Sequence, residues 1–373
     1  MSPDLVIVIT AVLVAVPCAL LGTFLVLRQM AMMGDAISHA VLPGIVVAFF
    51  LSESLGPVTS LVGAGAFGLL TAVLVEALKN TGKVKEDSSI GVVFTALFAL
   101  GVFLISKFAS DVHLDLQHVL FGEIAFSPLN LLTIGSVNLG PRSFWTLGIV
   151  TAVAVLLVLL LYKELKIATF DPGLAAAAGL SPALVHYLLM GAVSVTTVGA
   201  FDSVGAVLVV AFLIAPPATA YLLTDGLARM LALSVALGVG SAISGYYLAS
   251  LLDVAIAGMM AVMAGVLFVM GLLLSPSRGL VANLLRRRRN RRHFARGLLL
   301  ARLESLGNRA SEEELSRRLS WDGGAVVRTL EDAMRDGLVL RPAAGEVALT
   351  RRGREAATGM GEGPAGMGEG PAG

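Results

Sequence analysis

Apolar residues run in membrane-length blocks through residues 1 to about 280, broken by short polar stretches. A crossing helix needs about 20 mostly apolar residues. Blocks near 5–27, 35–51, 58–78, 88–106, 144–162, 183–200, 204–224, 228–250 and 254–274 have this character and predict nine transmembrane helices. Eight spans is the alternative, because 35–51 is short and the boundary inside 183–224 is weak. Backbone polar groups in lipid need internal partners, so every span must be helical. Abundant Gly and Ala let such helices approach closely, as in a multi-helix bundle.

Beyond residue 285 the pattern switches to polar and arginine-rich. "FARGLLLARLESLG" has helical periodicity, and "SEEELSRRLSWDGGAVVRTLEDAMRDGLVL" reads as helix, turn, helix. Ser311 with Glu314 fits a capping box. "GEVALTRRGREAA" fits a short wing strand and a final helix. The fold class is therefore an all-α polytopic membrane protein followed by a small winged helix-turn-helix domain. The expected organisation is a transmembrane domain over 1–280, a basic juxtamembrane linker over 281–292 and a winged-helix domain over 293–358. A Gly/Pro tail over 359–373 carries "MGEGPAG" twice and is expected to be disordered.

Charge sets the orientation. Only 14% of residues are charged, against roughly 25% in soluble domains. With nine spans and the C-terminus inside, the inner loops hold Arg28, Lys79, Lys83, Lys85, Lys163, Lys166, Arg229 and Arg278. The outer loops hold Lys107 and Arg142, so the bias places the N-terminus outside. The run "RRRRNRR" at 286–292 is partly this positive-inside signal, and Arg286, Arg287, Arg288 and Arg289 also suit anionic lipid or DNA. Residues 283–358 hold 17 Arg against 10 Asp plus Glu, a balance compatible with DNA binding. The helix expected at Trp321–Asp336 offers few base readers beyond Arg328, however, and carries Asp322, Glu331, Asp332 and Asp336. The single cysteine, Cys18, excludes a disulfide framework.

The stretch "MGDAISHAVLPG" at 33–44 sets an acid and a histidine four residues apart beside apolar runs. On a helix, Asp35 and His39 share a face. A carboxylate with an imidazole suits Mn(II), Fe(II) or Zn(II) better than Ca(II). Pro43 removes the N–H that the His39 carbonyl would accept from, so a helix kink is expected there. Two donors do not complete a transition-metal site, and a two-fold dimer with this helix at its axis would supply four. Two plainer readings stand beside this one. Asp35 is also a candidate N-cap, and His39 a candidate interhelical hydrogen-bond partner. In the outer loop from Lys107 to Ser143, His113, Asp115, His118 and Glu123 are a candidate metal relay or the solvated face of an interfacial helix.

The stretch "LGTFLVLRQMAMMGDAISHAVLPGI" at 21–45 resembles the signature of bacterial ABC-transporter permeases for manganese, zinc and iron. The resemblance continues in "LFG" at 120–122, "FDPGLAAAAGLSPALVHYLLM" at 170–190 and "VGAVLVVAFLIAPPATAYLLT" at 204–224, and covers essentially residues 5–275. It implies a homodimeric or heterodimeric permease pair in the bacterial inner membrane. It also implies separate cytoplasmic ATPase subunits and an extracytoplasmic metal-binding protein. Carried onto this chain, it makes Asp35 and His39 the metal ligands. It makes Asp171–Ser181 similar to the coupling helix that docks on the ATPase, with Asp171, Gly173, Ala176, Gly179 and Leu180 as its residues. Asp202, at an outer turn, departs from the neutral residue the family pattern implies. The tail departs too: it resembles the DNA-binding part of iron-dependent repressors, but with no Cys and only His293 it does not reproduce their metal sites.

No G-x-x-x-x-G-K-[ST] loop occurs, and "NTGKVK" at 80–85 lacks both the spacing and the hydroxyl residue. ATP hydrolysis is therefore expected from a partner, with no cofactor held permanently. The function expected is the permease subunit of a divalent-metal ABC importer, with manganese preferred and zinc or iron next, by analogy with the repressor-like tail. A membrane-tethered transcription regulator and a secondary metal transporter are the alternatives. Enzyme chemistry is not expected, since no nucleophile–base pair or paired carboxylates stand out.

Overall fold

The computed structural model describes residues 2–52, 57–108, 124–129, 131–134, 137–276, 279–343 and 345–361. The chain forms two compact units, Met1–Gly279 and Leu280–Gly373.

Among the described residues, nine helices of the first unit are long and apolar enough to cross a membrane. They are α1 (Pro3–Leu27), α2 (Met33–Ser52), α3 (Pro57–Asn80), α4 (Glu86–Phe108) and α5 (Arg142–Leu160), then, past the shorter α6 and α7, α8 (Pro182–Val204), α9 (Ala206–Leu223), α10 (Leu227–Leu252) and α11 (Ile256–Leu274). Gly205 resolves the weak boundary inside 183–224. Its φ of +80° ends α8 before α9 begins, in a conformation that costs glycine least. Two short helices, α6 (Tyr162–Phe170) and α7 (Pro172–Ala177), connect α5 to α8. Asp202 lies in the last turn of α8, so the expectation of a turn outside the helix is corrected.

Helix α2 packs on α3 and α4, whereas α1 packs on α5, α9 and α10. The core between them is built from Leu21, Phe24, Met33, Ile37, Leu208 and Phe212, all fully buried. Apolar side chains on the opposite faces, such as Ile149, Leu156 and Leu159 of α5, stay exposed, as suits helices that meet lipid. Hydroxyls inside the bundle bond back to the carbonyl one turn earlier: Thr10 to Val6, Thr23 to Ala19, Ser38 to Gly34 and Thr197 to Val193. This satisfies a polar group that would otherwise be costly to bury. A hairpin of β1 (Leu131–Ile134) and β2 (Val137–Pro141) precedes α5. Ser127 anchors this region, with hydroxyl contacts to Thr10 at 3.2 Å and Ser143 at 2.5 Å.

The second unit runs α12 (Leu280–Ser305), β3 (Arg309–Ser311), α13 (Glu312–Leu319), α14 (Gly323–Arg335), β4 (Val339–Ala343), β5 (Glu346–Leu349) and α15 (Arg351–Gly361). Its antiparallel sheet has the order β3-β5-β4. Leu299, Leu300, Leu303, Leu315, Val326, Leu330 and Val347 form a core of its own. Ser311 caps α13 by accepting from the Glu314 N–H at 3.2 Å, which is half of the expected capping box. The stretch 281–292 is not a separate linker but part of α12. Arg and Leu are good helix formers and no Gly or Pro interrupts them. Residues 359–361 likewise belong to α15, and 362–373 lie outside the described residues.

Candidate metal site

Helix α2 starts at Met33, whose N–H donates to the Met30 carbonyl at 3.0 Å. Asp35 is therefore inside the first turn, not at the N-cap. Its carboxylate there complements the positive end of the helix dipole. Asp35 Oδ1 lies 3.6 Å from His39 Nε2, and each side chain is about one third exposed. That gap is longer than a hydrogen bond. Neither group's lone pairs are consumed by the other, and both open onto the same face.

His39 is held by α4. Its ring stacks on Phe94, with centroids 5.6 Å apart, and meets the edge of Phe98 at 5.5 Å. Phe94 and Phe98 are themselves one helical turn apart, so a single face of α4 fixes the imidazole. Helix α2 continues unbroken through Pro43. The neighbouring backbones come very close along its length. A Cβ at Gly44 would lie 2.6 Å from the Gly63 carbonyl oxygen, one at Gly101 2.8 Å from Pro43 Cδ, and one at Gly34 2.9 Å from a Leu213 methyl.

Among the described residues, no third His, Cys, Asp or Glu joins this pair to make a metal cluster. One chain thus offers two donors, one oxygen and one nitrogen. His113, Asp115, His118, Glu123 and the "LFG" at 120–122 lie outside the described residues.

The segment expected to act as a coupling helix is a short capped turn. Asp171 Oδ1 accepts from the Leu174 N–H at 2.8 Å and caps α7. Gly179, at φ +81°, ends the turn, with the Leu180 N–H donating to the Ala175 carbonyl at 3.0 Å. Gly173, Ala176 and Gly179 are exposed, whereas Leu180 is half-buried. In the second unit, Arg286–Arg289 lie on α12 and Arg328 is exposed on α14. Sequence reading did not single out Phe94, Phe98, or a contact of Arg28 with Thr169 and His186. The aromatic pair at i, i+4 was the only available signal, and in an apolar helix it is indistinguishable from core.

The model of the ABC 3 transport family matches residues 5–275. The chain belongs to that family. It is 53% identical over 286 residues to the manganese transport system membrane protein MntD of Bacillus subtilis (strain 168), covering 77% of this chain and 97% of that protein. It is 45% identical over 341 residues to the zinc transport system membrane protein TroD of Treponema pallidum (strain Nichols), covering 90% of this chain and 93% of that protein. The first unit holds 279 of the 373 residues, so a 90% share reaches into the second unit. Among solved structures, a chain of PsaBC from Streptococcus pneumoniae in complex with Fab superposes with a TM-score of 0.60 at 34% identity. It covers 74% of this chain and 94% of that one. This ABC 3 family chain therefore has the membrane-helix architecture of a metal ABC transporter permease.

Proposed function

We propose that the chain is the permease subunit of an ABC importer that carries manganese(II), with zinc(II) and iron(II) as the next candidates. The observation that carries this reading is Asp35 and His39, one turn apart on a membrane-length helix of an ABC 3 family chain. Relatives named for manganese and zinc transport support the choice of ions. An oxygen and a nitrogen donor suit these metals.

A transition ion takes about four to six ligands. Two copies of the chain, or one copy and a paralogous permease, facing each other across α2 supply two carboxylates and two imidazoles. Pairing also covers two ionisable groups that membrane lipid would disfavour. ATP is bound and hydrolysed by a separate cytoplasmic subunit that docks on Asp171–Ser181. A metal-binding protein delivers the ion from outside. Closure of the ATPases moves these segments, the paired α2 helices part, and the ion is released inward. The Lys/Arg distribution supports a multi-pass inner-membrane orientation with the C-terminus in the cytoplasm.

The test is uptake of Mn(II) and Zn(II) by cells coexpressing the chain with its ATPase and binding protein. Asp35→Ala and His39→Ala each abolish uptake while the ATPase still copurifies. Uptake at the wild-type level in both variants would sink the site.

The helix, strand, helix, helix, strand, strand, helix order of the second unit supports a winged-helix reading. This unit regulates the importer or binds DNA. Salt-dependent, sequence-specific binding by the soluble unit checks the DNA role. No such binding leaves regulation of the ATPase or lipid contact.

A further inference from the structure

Arg28 caps the C-terminal end of α1, five residues before α2 begins. Its guanidinium is half-buried and reaches across the bundle. Nε donates to the Thr169 hydroxyl at 3.1 Å, and Nη1 lies 3.5 Å from His186 Nδ1. Thr169 is in α6, two residues before Asp171. His186 is in α8, five residues after Ser181. One side chain thus holds both flanks of the Asp171–Ser181 segment. Burial pushes the guanidinium pKa down from its ordinary value, and Nη2 is buried without a hydrogen-bond partner among the described residues. A charge is kept here at a desolvation penalty, where an apolar side chain would fill the space without one.

The link onward to α2 is stiff. The N–H groups of Arg28, Gln29 and Met30 donate to the carbonyls of Phe24, Val26 and Leu25, and that of Met33 to Met30. Gln29 sits at φ +61°, a left-handed conformation that fixes the reversal. A displacement of Thr169 and His186 is therefore delivered to the first turn of α2, where Asp35 lies. On the other side, Tyr187 of α8 lies beside Glu76 of α3, the helix packed against α2.

We propose that Arg28 is the positioning residue that transmits movement of the ATPase-docking segment to the Asp35–His39 helix. This rests on the reading of Asp171–Ser181 as the docking segment. The planar fork of Arg addresses two acceptors at once, which a shorter or neutral side chain does not.

The test uses the full importer, with ATPase and binding protein, in proteoliposomes. It measures Mn(II) ions taken up per ATP hydrolysed. Arg28→Gln copurifies the ATPase in wild-type stoichiometry and still hydrolyses ATP, but its ion-to-ATP ratio falls about tenfold. Thr169→Val and His186→Phe each lower the ratio by a smaller factor, and either one combined with Arg28→Gln adds little further loss. An unchanged ratio in Arg28→Gln overturns the proposal. If that variant does not reach the membrane, unchanged ratios in Thr169→Val and His186→Phe overturn it equally. Ala176→Arg separates the two readings. If it abolishes ATPase copurification while Arg28→Gln keeps the wild-type ratio, only the transmission role fails. If Ala176→Arg leaves copurification intact, the docking reading and this proposal fall together.

Discussion

The carbonyl oxygen of Gly63 stands 2.6 Å from where the first side-chain atom of any other residue at position 44 would go. Gly44→Ala forces two backbones apart and should destabilise the bundle by about 2 kcal/mol, read as a lower thermal midpoint in detergent. Near the same helix, Phe94→Ala removes the ring that His39 stacks on. With an aromatic contact worth about 1 kcal/mol, the Mn(II) concentration for half-maximal uptake should rise about fivefold, with the amount of assembled protein unchanged. An unchanged value would mean that α4 does not position the imidazole. At this scale the sequence was informative only where chemistry stands out from its surroundings. Asp35 and His39 are conspicuous among apolar residues, and four-residue spacing on a helix gives their shared face. Phe94 and Phe98 differ in no way from neighbours that merely face lipid, and the reach of Arg28 to residues more than 140 positions away has no local signature.

Among elements, α7 is the shortest of the capped helices, and its N-cap is the Asp171 side chain. Asp171→Ala removes the cap on the Leu174 N–H, at a cost of about 1 kcal/mol. On a six-residue helix this should fray the turn and, if the proposed ATPase-docking role holds, weaken ATPase copurification. Asp171→Asn, which can still accept that bond, should restore it. The long apolar helices were legible because length and hydropathy define them without tertiary help. The hairpin over 131–141 was not. "LLTIGSVNLGP" falls in the stretch read as an outer loop, and its two strands pair antiparallel with a register shift that no local alternation announces. The stretch 281–292 is expected to be a basic juxtamembrane linker, because its arginines mark the change from membrane spans to a soluble unit. It is instead helical, continuous with the turn that buries Leu299, Leu300 and Leu303.

At the level of the whole molecule, the two units have separate cores. MntD matches over 97% of its own length but only 77% of this chain. Ending the chain after Gly279 should therefore leave Mn(II) uptake intact, as measured in coexpressing cells. Loss of uptake with normal membrane levels would make the second unit part of the transport cycle. The division itself was visible in the change of composition near residue 280, since burial in lipid and burial in a small water-exposed core demand different surfaces. Within the first unit, α2 touches its neighbours through Gly44 against Gly63 and Pro43 against Gly101. At both contacts a glycine meets backbone atoms or the rigid proline ring directly. Helix α2 therefore has no bearing on which to slide, and α2, α3 and α4 must travel as one slab. Spin labels on α2 and α4 of the same chain should hold their separation through the ATP cycle while labels on the α2 helices of the two permease subunits proposed to pair change theirs. An ion would then pass through a seam that opens between two slabs, not through a hole bored in either.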